Sequence, residues 1–521
     1  MYINYNVVNG IEYGTATRSV RKGSNVGKGD QIYLGRVIDK EKGIFKSRER
    51  GLFVYDVESN IFSPIPADFE EPKRQRKTKY PVRPTLIVSF GDVFLLDSFL
   101  NKSGLIKAVD AIKYRNNDTL HALLSYYILT SYANCHAEDW WELTYAKYLY
   151  PKAQLASQRI SDALADIGSE DAKRCFFKEY FRFLERSNAS DCEGASEGID
   201  DGVLIDSSGL PNSIRFPLTA VNNHNGVISE ELRLIYVVQQ HTGMPLFFRY
   251  VAGNVIDVST ITRTIAELKA NGINTKFAIL DAGYYTGKNA DALLDAGVSF
   301  MARMKSNFKV YQNAIKKHLK NLVSKSNAVL YNNRLVYIKC IPCKIGEKEN
   351  RPAYAYLCKD MTMHNEGQKH AIERAGDENL TGADIFDDLQ KQGVFVLVTT
   401  RKVSTDKLLP LYYMRDQVEK IFEICKQGGK ILPINVETEE TLRGHLMMTF
   451  IAAATLKMMS DKLSNTSLTT ETMFMNLHEQ HAIVYDKEFI TTEPVKKMNE
   501  AYKAFKVQCP ATIPRQAQNV D

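Results

Sequence analysis

The chain has no apolar run long enough to cross a bilayer. The longest, near Leu446 to Leu456, is interrupted by Thr449 and Thr455 and reads as a buried helix. The opening MYINYNVVNG lacks a basic stretch followed by an apolar core, so no secretory signal is expected. Cysteine is scarce, eight scattered among 521 residues, which argues for reduced thiols in an intracellular protein. Cys340-Ile-Pro-Cys343 lacks the second pair that a zinc ribbon needs, and Cys358 has no partner in sequence. Tryptophan occurs only as Trp140 and Trp141. No large excess of one charge exists: a net +6 permits a polyanionic partner without demanding one. What is present is 44% hydrophobic and 10% aromatic residues, which excludes disorder. The length is too great for a single core, so about three or four domains are expected.

Residues 1–102 mix short strand-like runs, Gln31–Val37 and Pro84–Val93, with basic turns and read as a mixed α/β region. Within them Lys73-Arg74-Gln75-Arg76-Lys77-Thr78-Lys79 carries five positive charges and no acid. It is a candidate phosphate-contacting arm through Lys73, Arg74 and Arg76, or equally a solvated loop. Residues 103–197 are helical in pattern. Gln154 to Gly168 suggests a helix–turn–helix, with Ser157, Gln158, Arg159 and Ser161 near the start of its second helix, where side chains reach DNA. Asn188 to Asp201 is polar, acidic and rich in Ser and Gly, and reads as a linker.

Beyond the linker, Val203-Leu-Ile205 is a buried strand ending at Asp206. Leu232–Val238 and Met244–Val251 form a hairpin around His241-Thr-Gly243. Ser259–Ala270 has helical spacing and stops at Asn271-Gly272. Lys276–Leu280 is a further strand ending at Asp281, and Val298–Arg303 is the fifth. If the first and fourth strands are neighbours, two carboxylates meet at their ends, where open α/β sheets bind ligands. Two close carboxylates repel unless a cation neutralises them, and Mg²⁺ is held by one or two carboxylates plus substrate phosphates. A third carboxylate would allow two ions for in-line phosphoryl transfer. The alternative for each Asp alone is a turn or helix cap.

Leu411 to Gly428 is expected to form one helix. It places Tyr412, Arg415, Glu419 and Lys426 on one exposed side and Met414, Val418, Ile421, Phe422 and Cys425 on the core side. Glu419 can hold a hard metal ion, and its neighbours can hold phosphate oxygens. Asp416 and Glu423 share nearly the same face, and a solvated face of i,i+4 ion pairs is the plainer reading. His445 could approach a phosphate, though a buried or capping role is the plainer one.

These residues resemble those of bacterial insertion-sequence transposases of the DDE type. Tyr412-x2-Arg415-x3-Glu419-x6-Lys426 has the spacing of their YREK signature. Asp206 in LIDSSGL and Asp281 in LDAGYY resemble the two Asp blocks. Gly243-x-Pro245-Leu246 and Gly253-Asn254-x-x-Asp257 resemble the segment between. The resemblance covers roughly 203–458.

It implies an RNase H-like mixed-sheet core in two parts, 198–305 and 393–463. A β-rich insertion at 306–392 and a helical C-terminal region at 464–521 complete the chain. It implies Asp206, Asp281 and Glu419 as a triad holding two Mg²⁺ ions, with Mn²⁺ able to substitute. It implies that Tyr412, Arg415 and Lys426 contact transposon-end DNA. The activity implied is cut-and-paste transposition through a hairpin, by a prokaryotic, cytoplasmic, nucleoid-associated enzyme that dimerises when ends are synapsed and needs no membrane. The rivals are an RNase H-fold nuclease without strand transfer and a catalytically inactive transposase-derived DNA-binding protein. Some relatives stack a flipped base on a Trp in the insertion. No Trp lies there in this chain, and Tyr331, Tyr337, Tyr354 and Tyr356 are the candidate substitutes.

Overall fold

The computed structural model describes residues 1–8, 11–22, 25–66, 69, 86–191, 202–211, 218–224, 227–255, 260–377, 389–427, 432, 434 and 436–515. The basic arm with Lys73, Arg74 and Arg76, and also Asp257, lie outside these residues. The chain divides into two compact units, Met1–Val82 and Arg83–Asp521.

The first unit is an antiparallel sheet in sequence order: β1 (Tyr2–Val8), β2 (Ile11–Lys22), β3 (Asn25–Asp39), β4 (Ile44–Ser47), β5 (Gly51–Asp56) and β6 (Ile61–Ser63). Alternation sends Ala16, Leu34, Phe45, Phe53 and Tyr55 to one face, where they form a small core with Ile3, Tyr5 and Phe62. All regular structure among this unit's described residues is strand, so the mixed α/β character expected of 1–102 arises only beyond it. There β7 is short, Leu86–Ser89, and helix α1 begins at Gly91. The run expected to extend a strand to Val93 instead has helical spacing: Val93, Leu96, Phe99 and Leu100 are all buried.

The second unit opens with helices α1 (Gly91–Ser103), α2 (Ile106–Asp110), α3 (Asn117–Leu129), α4 (Ala137–Leu143), α5 (Ala146–Leu149), α6 (Ser157–Ile167) and α7 (Glu170–Asp191). Then comes a ten-stranded sheet, with helices α8 (Ile261–Ala270), α9 (Gly287–Asp295), α10 (Lys309–His318) and α11 (Met361–Asp377) between its strands in the chain. Its strands are β8 (Val203–Pro211), β9 (Ala220–His224), β10 (Val227–Gln239), β11 (Pro245–Ala252), β12 (Phe277–Leu280), β13 (Ser299–Met304), β14 (Ala328–Tyr331), β15 (Arg334–Ile345), β16 (Arg351–Asp360) and β17 (Val394–Thr399). The order is β11-β10-β8-β12-β13-β17-β16-β15-β14, with β9 on β10. The β8–β12 and β12–β13 pairs are parallel and the others antiparallel. The strands of 306–392 therefore continue the sheet of the flanking segments through β16 and β17.

Helix α14 (Glu439–Leu463) is buried along most of its length and packs on α6, with Gly444 against the Leu164 backbone. A capping box of Thr438 and Thr441 starts it. His445 is buried, and its Nδ1 shares a 2.8 Å hydrogen bond with the Tyr127 hydroxyl. The C-terminal region is not wholly helical. Helices α15 (Thr470–His478) and α16 (Lys496–Ala504) are accompanied by β18 (His481–Val484), β19 (Glu488–Thr491) and β20 (Thr512–Pro514). These strands make a four-stranded sheet with β7, in the order β20-β19-β18-β7. Their partner lies almost 400 residues upstream, and strands of three or four residues carry too short a pattern to read. No helix among the described residues is long and apolar enough to cross a membrane.

Candidate active site

The site is built where the pairing of β8 with β12 ends; β8 itself does not end at Asp206, where the sequence pattern puts its end, but runs on to Pro211 along β10. β8 and β12 run parallel in register, Val203 beside Ala278, Leu204 beside Ile279 and Ile205 beside Leu280. One step further brings Asp206 beside Asp281. All six paired residues are fully or nearly fully buried, so the first polar side chains to emerge are these two aspartates. Asp206 accepts a 2.8 Å hydrogen bond from the Ser207 backbone N–H. Asp281 precedes a 3₁₀ turn, Ala282–Tyr284, but its side chain makes no cap hydrogen bond there. The capping role considered for Asp281 from sequence is not what its carboxylate does.

The third carboxylate comes from the helix expected over 411–428, which is two helices rather than one. Helix α12 spans Thr405–Tyr413 and α13 spans Asp416–Gln427. Between them the backbone tightens: Arg415 N–H bonds Tyr412 O, Gln417 N–H bonds Met414 O and Val418 N–H bonds Arg415 O. The break has a packing reason. The buried face of α12 is Leu408, Leu409 and Tyr412, and that of α13 is Val418, Ile421, Phe422 and Cys425. A straight helix would carry the first stripe on into Arg415 and Glu419. Tyr412 consequently leaves the exposed strip and is buried, its hydroxyl pushed up to about 12 chiefly by desolvation. Its ring lies under the Arg415 guanidinium, 5.9 Å from centroid to Cζ.

Arg415 joins the three elements. One terminal nitrogen lies 3.2 Å from Asp206 Oδ2 and 3.0 Å from Asp281 Oδ1, and the other lies 3.1 Å from Glu419 Oε1. Of the three carboxylates on nearly one face of α13, Glu419 is the one that meets Arg415. Asp416 instead contributes to the field at Tyr331. Burial pushes the Asp206 carboxyl up to about 7, against the pull of Arg415 and with a smaller push from Asp281 and Glu419. Burial also weighs on the guanidinium, but Asp206, Asp281, Tyr412 and Glu419 together outweigh it and raise its pKa.

Lys426, exposed on the last turn of α13, donates a 2.8 Å hydrogen bond to Ser208 Oγ, two residues past Asp206. Arg159 is exposed at the start of α6 beside Ser157 and Gln158, with Asp162 3.7 Å away. Of the four insertion tyrosines, Tyr356 is buried and hydrogen-bonded to Val403. Tyr331 stacks on Tyr413, with centroids 5.4 Å apart and planes 10° off parallel. Arg334 lies over both rings.

Two cations at the site were not singled out from the sequence. Arg303 and Lys305 line an open cavity of about 520 Å³, together with Ala282, Ser306, Asn307 and Phe395. Ala282 follows Asp281 directly, and Arg303 contributes to the field at Tyr412. The Arg303 guanidinium lies 5.2 Å from the centroid of the Phe395 ring. The available signal was an arginine inside the otherwise apolar strand Phe300-Met-Ala-Arg-Met304.

The donor set suits a hard divalent cation, being three carboxylates from three elements that already gather round one positive charge. As the side chains stand, no group of three or more His, Cys, Asp or Glu among the described residues is placed to hold a metal ion.

Residues 201–454 match the family described as Transposase DDE domain. That match supports a DDE transposase. No curated protein matches the chain. Among solved structures, similarity is found to a piggyBac transposase synaptic complex with hairpin DNA. Identity there is 12%, with 74% of this chain and 79% of that chain covered and a TM-score of 0.38.

Proposed function

We propose that the chain is a DNA transposase that cleaves the ends of an insertion sequence and joins them to target DNA, using Asp206, Asp281 and Glu419. The observation that carries this is the convergence of the three carboxylates on the Arg415 guanidinium. They come from two adjacent parallel strands, just past the end of their pairing, and from one helix, within the segment matching a transposase DDE domain. The sheet order of three antiparallel strands followed by two parallel ones is that expected of an RNase H-like core.

In this reading the three carboxylates hold two Mg²⁺ ions, or Mn²⁺ in their place. Bound there, the ions would supply Lewis-acid stabilisation to the attacking and leaving oxygens of an in-line displacement at phosphorus. The remaining work falls to the protein. Asp206 and Asp281 are fixed by strands buried on both faces, so their spacing is set before substrate arrives. Lys426, anchored through Ser208 beside Asp206, meets the backbone of the DNA end. Arg303 and Lys305 give the strand leaving the site a basic surface beside Asp281. Arg159 and the exposed start of α6 add a phosphate contact, and the basic arm with Lys73, Arg74 and Arg76 is a candidate for another. Tyr412 acts through Arg415, as the ring on which the guanidinium rests. Synapsis of two ends calls for two copies of the chain, and the hairpin route for cutting the second strand is the one the resemblance favours. A prokaryotic cytoplasm is the expected setting.

Incubating the full chain with its element's end, a target plasmid and Mg²⁺ tests this. Joined products are expected. Cleaved ends with no joined DNA would leave a nuclease, and intact DNA would leave a binding protein.

A further inference from the structure

We infer that Arg415 is a displaceable internal cation, one that fills the carboxylate site in the metal-free protein and has to withdraw before a divalent ion can enter. The inference rests on the metal-site reading above and adds to it a competition within the protein itself.

Three observations carry it. First, one side chain contacts all three carboxylates, at 3.0, 3.2 and 3.1 Å. The planar fork of the guanidinium lets two of its nitrogens share the three contacts. Second, the two terminal nitrogens lie within 3.2 Å of a carboxylate oxygen from each of Asp206, Asp281 and Glu419, and no group of three or more His, Cys, Asp or Glu among the described residues is placed to hold a metal ion as the side chains stand. An ion taking the same three oxygens as ligands would need the space that the guanidinium fills. Third, Arg415 sits at the break between α12 and α13, and its side chain remains 19% exposed. It is held by the carboxylates and by the Tyr412 ring rather than enclosed, so it has a way out. Phosphodiester oxygens offer the same bidentate geometry as a carboxylate, and an arriving DNA backbone is a natural receiver for it.

The opposing account is a fixed structural ion pair whose loss simply loosens the site. The two make opposite predictions for metal affinity. A structural pair predicts that removing Arg415 weakens or leaves unchanged the binding of a metal. A displaceable cation predicts that it strengthens it.

The experiment is Mn²⁺ titration of the DNA-free full chain, followed by calorimetry and by the loss of the free-ion electron paramagnetic resonance signal. Wild type, Arg415→Met, Arg415→Lys and Arg415→Met/Asp281→Asn are compared. Arg415→Met is expected to bind Mn²⁺ at least about tenfold more tightly than wild type. Its metal-free form is expected to melt lower than wild type, with Mn²⁺ restoring the loss. Arg415→Lys, charged but unable to span three carboxylates, is expected to fall between, and serves alone if Arg415→Met does not fold. The double variant is expected to lose the gain. Equal or weaker binding by a folded Arg415 variant overturns the inference while leaving the metal site standing. A gain that survives Asp281→Asn places the ion elsewhere and overturns it as well. Absence of Mn²⁺ binding by every chain overturns the metal site and this inference together.

Discussion

Asp206 is a carboxylic acid whose ionisation the fold alters strongly. Its carboxyl rises from 3.8 to about 7, chiefly through burial. Below the lower value the group is protonated in the folded and unfolded chain alike. As pH rises, the unfolded chain ionises first, so stability from this group is present in acid, is lost progressively between 3.8 and about 7 and is gone above that. Asp206→Asn has no such group. In metal-free melts, its melting temperature relative to wild type is expected to rise across that window. A flat difference would contradict the burial argument. Lys426 belongs to the same scale. If it meets a phosphate, Lys426→Ala should weaken end binding and lower the slope of log affinity against log salt by about 1. An unchanged slope would return Lys426 to a purely internal role through Ser208.

Elements were legible from sequence in proportion to how local their causes are. The buried run before Asp206, the strand before Asp281, the hairpin at Gly243 and the helix stopping at Gly272 each carry their pattern within a dozen residues; that β8 continues past Asp206 to Pro211 was not legible, because its extension is set by pairing with β10. The break at Met414-Arg415 was not legible. The 411–428 pattern fits a single helix, and only packing of two separate stripes against different neighbours divides it. Burial of Tyr412 follows from the same cause. Arg303 was missed because an arginine in an apolar strand reads as an exception until the cavity beside Asp281 gives it a place. At this scale the crossing of α6 and α14 makes a firm prediction. A Cβ on Gly444 would lie 1.9 Å from the Leu164 carbonyl oxygen, a backbone atom that cannot swing aside. Gly444→Ala should destabilise the chain by about 3 kcal/mol, the upper range for overpacking, read as a fall in the urea midpoint. A shift within error would mean the helices separate freely.

At the scale of the whole molecule, the sheet is what turns distant sequence into one site. Asp206 and Arg415 are 209 residues apart, and Asp281 stands between them in the chain. β8 and β12 set two of the carboxylates, and α13 supplies the third. The segment between β13 and β17 adds its strands to the far edge of the same sheet without separating these elements. The C-terminal strands close on β7 by a pairing that no local pattern announces. The first unit has its own sheet and core, and its basic arm is the part of the DNA-contact proposal furthest in sequence from the triad.

The central claim is that three carboxylates perform one phosphoryl-transfer reaction. Its most direct measurement is strand joining by wild type, Asp206→Asn, Asp281→Asn and Glu419→Gln on the same end and target DNA with Mg²⁺. All three variants are expected to keep end binding and lose both cleavage and joining. Retention of cleavage by any one of them, with wild type active, would contradict the account.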